Sequence, residues 1–148
     1  FERRLSEHVG SRRNEPVIVL WLDLDRFGDI VSGMGAETAN HFLYGVGQLL
    51  QTKVRASDTV ARVEHDRFAI LLPDTSLNKA VQLAEAVRSR TRGIRLRNRS
   101  TQAVELTVTV SAGVAAWRPG EDASAWIGCA DAALYRSKAG GRDRVMVA

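Results

Sequence analysis

From Val17 to Leu22 every residue is apolar, and Leu24 extends the run past Asp23. An extended segment that is apolar on both faces has to be covered on both sides, so Val17 to Leu24 predicts the central strand of a helix-covered sheet. It runs directly into Asp23-Leu24-Asp25, which puts carboxylates at the strand end. A chain of 148 residues builds one domain around such a strand. With 45% hydrophobic and 26% charged residues, its composition excludes a disordered, collagenous or coiled-coil chain. The longest apolar run is far shorter than the roughly 18 residues of a bilayer span, so no transmembrane segment or signal peptide is predicted. The one cysteine, Cys129, lies in an Ala-rich helical pattern and reads as a small buried hydrophobe. The reducing cytoplasm is the expected location.

Residues 1–16 carry Phe1, Leu5 and Val9 at helical spacing and are expected to be the tail of a helix and a linker. Residues 17–148 are then the domain, cut from a longer protein. From Ala36 to Val54 the apolar positions Ala39, Phe42, Leu43, Val46, Leu49 and Leu50 follow the helical period. Thr59 to Val63 and Phe68 to Leu72 flank a short turn and predict a β-hairpin. Ser76 caps a second helix bearing Leu77, Ala80, Val81, Ala84 and Val87. From Val104, alternation through Val110 predicts one strand with a wet face, running on to about Ala116. Asp122 caps a last helix that ends near Gly140-Gly141, before a short strand, Arg144 to Val147. The order strand, helix, hairpin, helix, strand, helix, strand predicts an α+β fold with helices flanking a central sheet.

The formal charge of +4 favours anionic partners only mildly. Arg88, Arg90, Arg92, Arg95, Arg97 and Arg99 crowd one stretch, but no aromatics interleave them and no zinc-ligand spacing occurs, so no nucleic-acid partner is predicted. His8 and His41 fall on polar helix faces and are assigned to solvent. Trp21, Trp117 and Trp126 are expected as core or interface anchors.

Asp23 at the strand end and Asp66 on the hairpin are the acids able to hold a hard cation such as Mg²⁺. Four stretches occur in the order and spacing of one known family: Asp23-Leu24-Asp25-Arg26-Phe27; Ala61 to Pro73; Thr109-Val110-Ser111-Ala112-Gly113-Val114-Ala115; and Ala130 to Lys138 with Gly141-Arg142. From Val17 onward the chain resembles a GGDEF, or diguanylate cyclase, domain. The resemblance implies a palm-like nucleotidyl-cyclase fold with a ferredoxin-like core and a central, mainly antiparallel sheet. It also implies bacterial cyclic di-GMP signalling, in which active members join two GTP molecules across a dimer using two divalent metal ions.

Against the family pattern Gly-Gly-Asp/Glu-Glu-Phe, this chain has Glu64-His65-Asp66-Arg67-Phe68. Glu64 and His65 fill space the glycines leave for nucleotide, and a side chain in a left-handed turn costs about 1 kcal/mol. Asp23 and Asp66 match the family's metal-ligand positions. Arg67 puts a cation where the fourth-position acid belongs, and like charges at about 4 Å repel by about 4 kcal/mol at an effective dielectric of about 20. The family's guanine-binding Asn and Asp fall at Val31 and Asn40; Val31 cannot hydrogen-bond a base, whereas Asn40 keeps an acceptor. Gly28 stands where a Lys is usual, and Lys138 and Arg142 match the family's triphosphate contacts. The signature is therefore expected to be vestigial, with weak or no GTP binding.

A second motif, Arg55-Ala56-Ser57-Asp58, stands five residues before the pentapeptide, the offset of the family's inhibitory cyclic di-GMP site. Arg grips guanine O6 and N7 or a phosphate, and Asp accepts from the guanine N–H groups. Arg88 or Arg90 is expected to complete that site. The reading is a catalytically inactive GGDEF domain acting as a regulatory or receptor module. Its partners would be cyclic di-GMP, an EAL-type or sensory domain of the same chain, and a second copy as homodimer, with no membrane contact by this segment. A residual cyclase and a ligand-free dimerisation scaffold are the alternatives.

Overall fold

The doubly apolar run forms β1 (Val17–Leu24), and all of its residues are buried. In the computed structural model, which describes residues 1–10, 16–64, 66–97 and 105–148, it follows α1 (Glu2–Gly10). After it come α2 (Phe27–Met34), α3 (Ala36–Lys53), β2 (Thr59–Arg62), β3 (Arg67–Pro73), α4 (Leu77–Arg92), β4 (Arg95–Arg97), β5 (Glu105–Thr107), β6 (Val110–Ala116), α5 (Ala123–Ala139) and β7 (Val145–Val147). The central sheet has the order β2-β3-β1-β6-β7. Its pairs are antiparallel except β6 with β7, which is parallel. The architecture is α+β, a mixed sheet with helices on both faces.

Alternation along β1 divides the core in two. Ile18, Leu20, Leu22 and Leu24 point toward α2, α3 and α4, where Leu43, Leu50, Ala84 and Val87 meet them. Val17, Val19 and Trp21 point to the other face, under α5 and α1, with Trp126, Leu134 and Leu5. Leu5 is 1% exposed, so α1 belongs to this packing. Each such buried Leu contributes about 1.5–3 kcal/mol relative to exposure. Under α5, Gly113 of β6 lets the helix touch the strand: a Cβ there would overlap the Ala130 carbonyl oxygen and the Leu134 backbone nitrogen.

The predicted caps form. The Ser76 hydroxyl accepts from the Lys79 N–H at 3.2 Å, and the Asp122 carboxylate accepts from the Ala125 N–H at 2.8 Å. Trp126 is fully buried and donates to the Ala115 carbonyl at 2.9 Å, whereas Trp117 is half-buried and donates to Glu121. Cys129 is half-buried, with its thiol 3.7 Å from a Glu121 carboxylate oxygen. His41 is exposed; the side chain of His8 lies outside the described residues.

Two sequence expectations need correction. The segment after Asp25 holds a further helix, α2, which the predicted order lacks. The strand expected from Val104 is also not continuous: β5 pairs with β4 in a separate two-stranded sheet, and β6 pairs with β1. The break falls at Val108-Thr109, where Val108 is buried and the Thr109 carbonyl accepts the Asp25 N–H. Beyond it neither face of β6 is wet, because α5 covers the side carrying Ser111, Gly113 and Ala115. Residue 104 itself lies outside the described residues.

Candidate functional site

The register of the sheet assembles the site. Arg67, the first residue of β3, is the cross-strand partner of Asp23 on β1, and Ser111 of β6 is its partner on the other side. Antiparallel partners lie about 5 Å apart, within reach of a guanidinium. Arg67 Nε donates to Asp23 Oδ1 at 2.8 Å and Nη2 donates to Oδ2 at 3.4 Å. Lys138, in the last turn of α5, places Nζ 2.6 Å from the same Oδ2. Both oxygens of Asp23, whose side chain is 4% exposed, are thus bound by cations of the chain itself. Arg67 also reaches Asp131 of α5 with Nη1 at 3.1 Å, and its guanidinium carbon lies 5.7 Å from the centre of the Trp21 ring. Burial alone would lower the pKa of Arg67; the hydrogen bond to Asp23 and the charges of Asp23, Glu64 and Asp131 outweigh it, and the net direction is upward.

Beside this cluster the hairpin opens a cleft of about 630 Å³ lined by Arg62, Val63, Glu64 and Asp66. Glu64 is exposed there without a left-handed backbone: among the described residues, positive φ outside glycine occurs only at Arg26, Asp74, Arg142 and Asp143. The strain anticipated for a side chain at this position is absent. His65 lies outside the described residues. Asp66 is half-buried and anchors the hairpin to β1 through its carbonyl, which accepts the Leu24 N–H at 3.1 Å. Phe68 points into the core against Gly47 of α3.

A divalent cation needs free carboxylate oxygens. Asp23 has given both of its oxygens to Arg67 and Lys138, and among the described residues no three acidic, His or Cys side chains gather as a metal cluster. In this arrangement a cation at Asp23 competes with Arg67 and Lys138 for the carboxylate.

Asn40 is exposed on α3, and Val31 is half-buried against the core from α2. Arg142 is exposed at the end of α5 with φ of 66°, its N–H bonded to the Ser137 carbonyl. Next to it Asp143, also left-handed, donates its N–H to Asp25 at 3.1 Å. Buried Asp25 further accepts from the hydroxyls of Thr109 and Ser111, each at 2.7 Å. Sequence alone assigns no role to Asp25, Asp131 or Asp143; the seven-residue spacing of Asp131 and Lys138, two turns apart on one face of α5, is the signal that joins those two to one site.

At the second motif, Asp58 accepts the Arg55 N–H at 2.8 Å and receives Nη2 at 3.0 Å, while Nη2 also reaches the Pro73 carbonyl and the Thr75 hydroxyl. The hydrogen bond with Asp58 raises the pKa of Arg55. Its side chain stays 52% exposed, so a guanidinium edge faces solvent. Arg88 is not brought here. It pairs with Glu85 at 2.8 Å and Asp143 at 2.9 Å, about 18 Å along α4 from its Ser76 cap. Arg90 is exposed one half-turn beyond.

Comparison with known proteins places the domain. The family model described as diguanylate cyclase, GGDEF domain, matches residues 1–144. Diguanylate cyclase DosC of Escherichia coli is 33% identical over 145 residues, covering 98% of this chain and 31% of DosC; the chain spans about a third of that relative's length. The GGDEF domain of DgcB from Caulobacter crescentus, crystallised with c-di-GMP, superposes with a TM-score of 0.92 at 27% identity, covering 99% of this chain and 87% of that one. An EAL/GGDEF domain protein from M. capsulatus gives a TM-score of 0.75 at 26% identity, over 95% and 91% of the two chains. No described helix is long and apolar enough to cross a membrane. On the family match across nearly its whole length, the chain belongs to the GGDEF diguanylate cyclase family of cyclic di-GMP signalling.

Proposed function

We propose that this is a GGDEF domain that has lost synthesis and works as a regulatory or receptor module, binding cyclic di-GMP through the exposed edge of Arg55, which the buried Asp58 carboxylate holds in place. The observation that carries the reading is the clasp on Asp23. A carboxylate already paired with Arg67 and Lys138 attracts a divalent ion only in competition with them, and these cations would have to be displaced before one took their place. The same clasp occupies Lys138, which the resemblance assigns to triphosphate. Binding by the second motif is supported by its preorganised form: Asp58 fixes the guanidinium of Arg55 while leaving one edge open for a guanine or phosphate. Within a longer chain, we infer an EAL-type or sensory domain as the element it regulates.

Calorimetry of the chain with cyclic di-GMP, then with GTP and Mg²⁺, tests this. Heat with cyclic di-GMP that Arg55→Ala removes, and no product from GTP, is the expected result. Conversion of GTP to cyclic di-GMP would overturn the loss of synthesis, and no heat with cyclic di-GMP would overturn the receptor role.

A further inference from the structure

Helix α1 and the clasp on Asp23 share one aromatic stack. The Phe1 ring lies 6.0 Å from the Trp21 ring, tilted by 43°, and the guanidinium of Arg67 lies 5.7 Å from the Trp21 ring centre. Leu5, one turn after Phe1, is buried in the same core cluster as Trp21 and fixes α1 on this face of the sheet. Phe1, Glu2, Trp21, Val63, Arg67 and Asp131 line a pocket of about 300 Å³ that joins the first turn of α1 to the hairpin and to α5. The single polar group of the Trp21 ring, Nε1, donates a 3.4 Å hydrogen bond to the Ile127 carbonyl, and the rest of the ring is held by packing against its neighbours.

We propose that the seating of α1 controls the hold of Arg67 on Asp23, with Trp21 as the positioning residue between them. This rests on the reading of the clasp given above and adds its regulation. With Phe1 against the indole, the ring offers a fixed face to the guanidinium, and the cation–π contact adds to the two carboxylate pairs that fix the plane of Arg67. Displacing the first turn of α1 frees the ring, loosens Arg67 and uncovers Oδ1 of Asp23, while Lys138 stays on Oδ2. A movement of the polypeptide at one end of the domain is thereby converted into a change of charge at its vestigial catalytic centre, through the contiguous contacts Phe1–Trp21–Arg67–Asp23.

A double-mutant cycle on the full chain reads this coupling. Phe1→Ala is combined with Arg67→Ala, or with Arg67→Met where the alanine variant does not fold, and unfolding constants are measured in urea. The expected result is that Phe1→Ala changes the unfolding constant by a factor at least about twofold different in the two backgrounds. The Arg67 Nε proton should also exchange with water several-fold faster in Phe1→Ala. Additive effects overturn the proposal, and so does coupling without faster exchange, which would place the coupling in the unfolded chain. Production of cyclic di-GMP from GTP would refute the loss of synthesis and leave this cycle intact, so the two failures are distinguishable.

Discussion

Arg67 and Asp23 are cross-strand partners on β3 and β1, joined by a hydrogen bond of 2.8 Å from Nε to Oδ1. Because strand register fixes which residues face each other, an arginine at this one position supplies the neighbouring aspartate with a covalently attached counterion. A mobile cation pays an entropic cost on binding that an attached one has already met in folding.

Arg67→Glu should accordingly restore affinity for a divalent ion. The variant removes one cation from Asp23 and adds a carboxylate beside it, leaving Lys138 free to turn outward, since its side chain is 33% exposed. Mn²⁺ binding, followed by the loss of the free-ion paramagnetic resonance signal, is expected to tighten by about tenfold or more, equivalent to about 1.4 kcal/mol. Unchanged affinity would show that Arg67 does not guard this carboxylate.

How much of this was readable in advance follows from the range of each interaction. The buried strand β1, the long helix α3 and the capped helices α4 and α5 were legible because apolar period and caps are local properties. Helix α2 was not: it begins at Arg26 in a left-handed conformation without a side-chain cap and buries only Ile30 and Met34. The switch of sheets at Val108 and Thr109 is set by tertiary contacts with Asp25, which a continuous alternation conceals. At the site, Asp23, Asp66 and Arg67 were found by motif. The reach of Lys138 and Asp131 into it was not, because that depends on how closely α5 settles on β6.

That settling depends on Gly113. An added methyl would meet backbone atoms of Ala130 and Leu134 rather than the flexible end of a side chain, so relief requires moving the whole helix. Gly113→Ala should cost about 3 kcal/mol or more, at the upper end for overpacking. It should also separate Lys138 from Asp23. A drop in the midpoint of urea unfolding is the check, and a midpoint within error of wild type would mean that α5 can shift freely.

Asp25 should matter for stability in a way its lack of a ligand role hides. Its buried carboxylate accepts from Thr109, Ser111 and the Asp143 N–H, three donors that converge on two oxygens. An amide supplies one acceptor oxygen and turns an NH₂ toward at least one of those donors. Asp25→Asn is expected to lose about 2 kcal/mol in urea unfolding. It should also release the left-handed residues Arg142 and Asp143, seen as faster proteolysis after residue 141.

Arg55 has a structural part to play beside the binding role proposed for it. Its Nη2 ties the turn after α3 to the end of β3 through the Pro73 carbonyl at 2.6 Å and the Thr75 hydroxyl at 2.7 Å. Arg55→Ala should cost about 1 kcal/mol, reduced by the half-exposed position of the side chain. The folded-state pKa of Arg55 is raised, chiefly by the hydrogen bond with Asp58. A raised pKa gives stability that is fully present below the unfolded-state value and lost only as pH climbs through the folded one, which for arginine lies well above the physiological range. The difference in urea midpoint between wild type and Arg55→Ala should therefore stay constant from about pH 7 to about pH 10, and Arg55→Lys should lose part of it over the upper end of that interval. A wild-type advantage that fades by pH 10 would mean that the guanidinium is not what holds this turn.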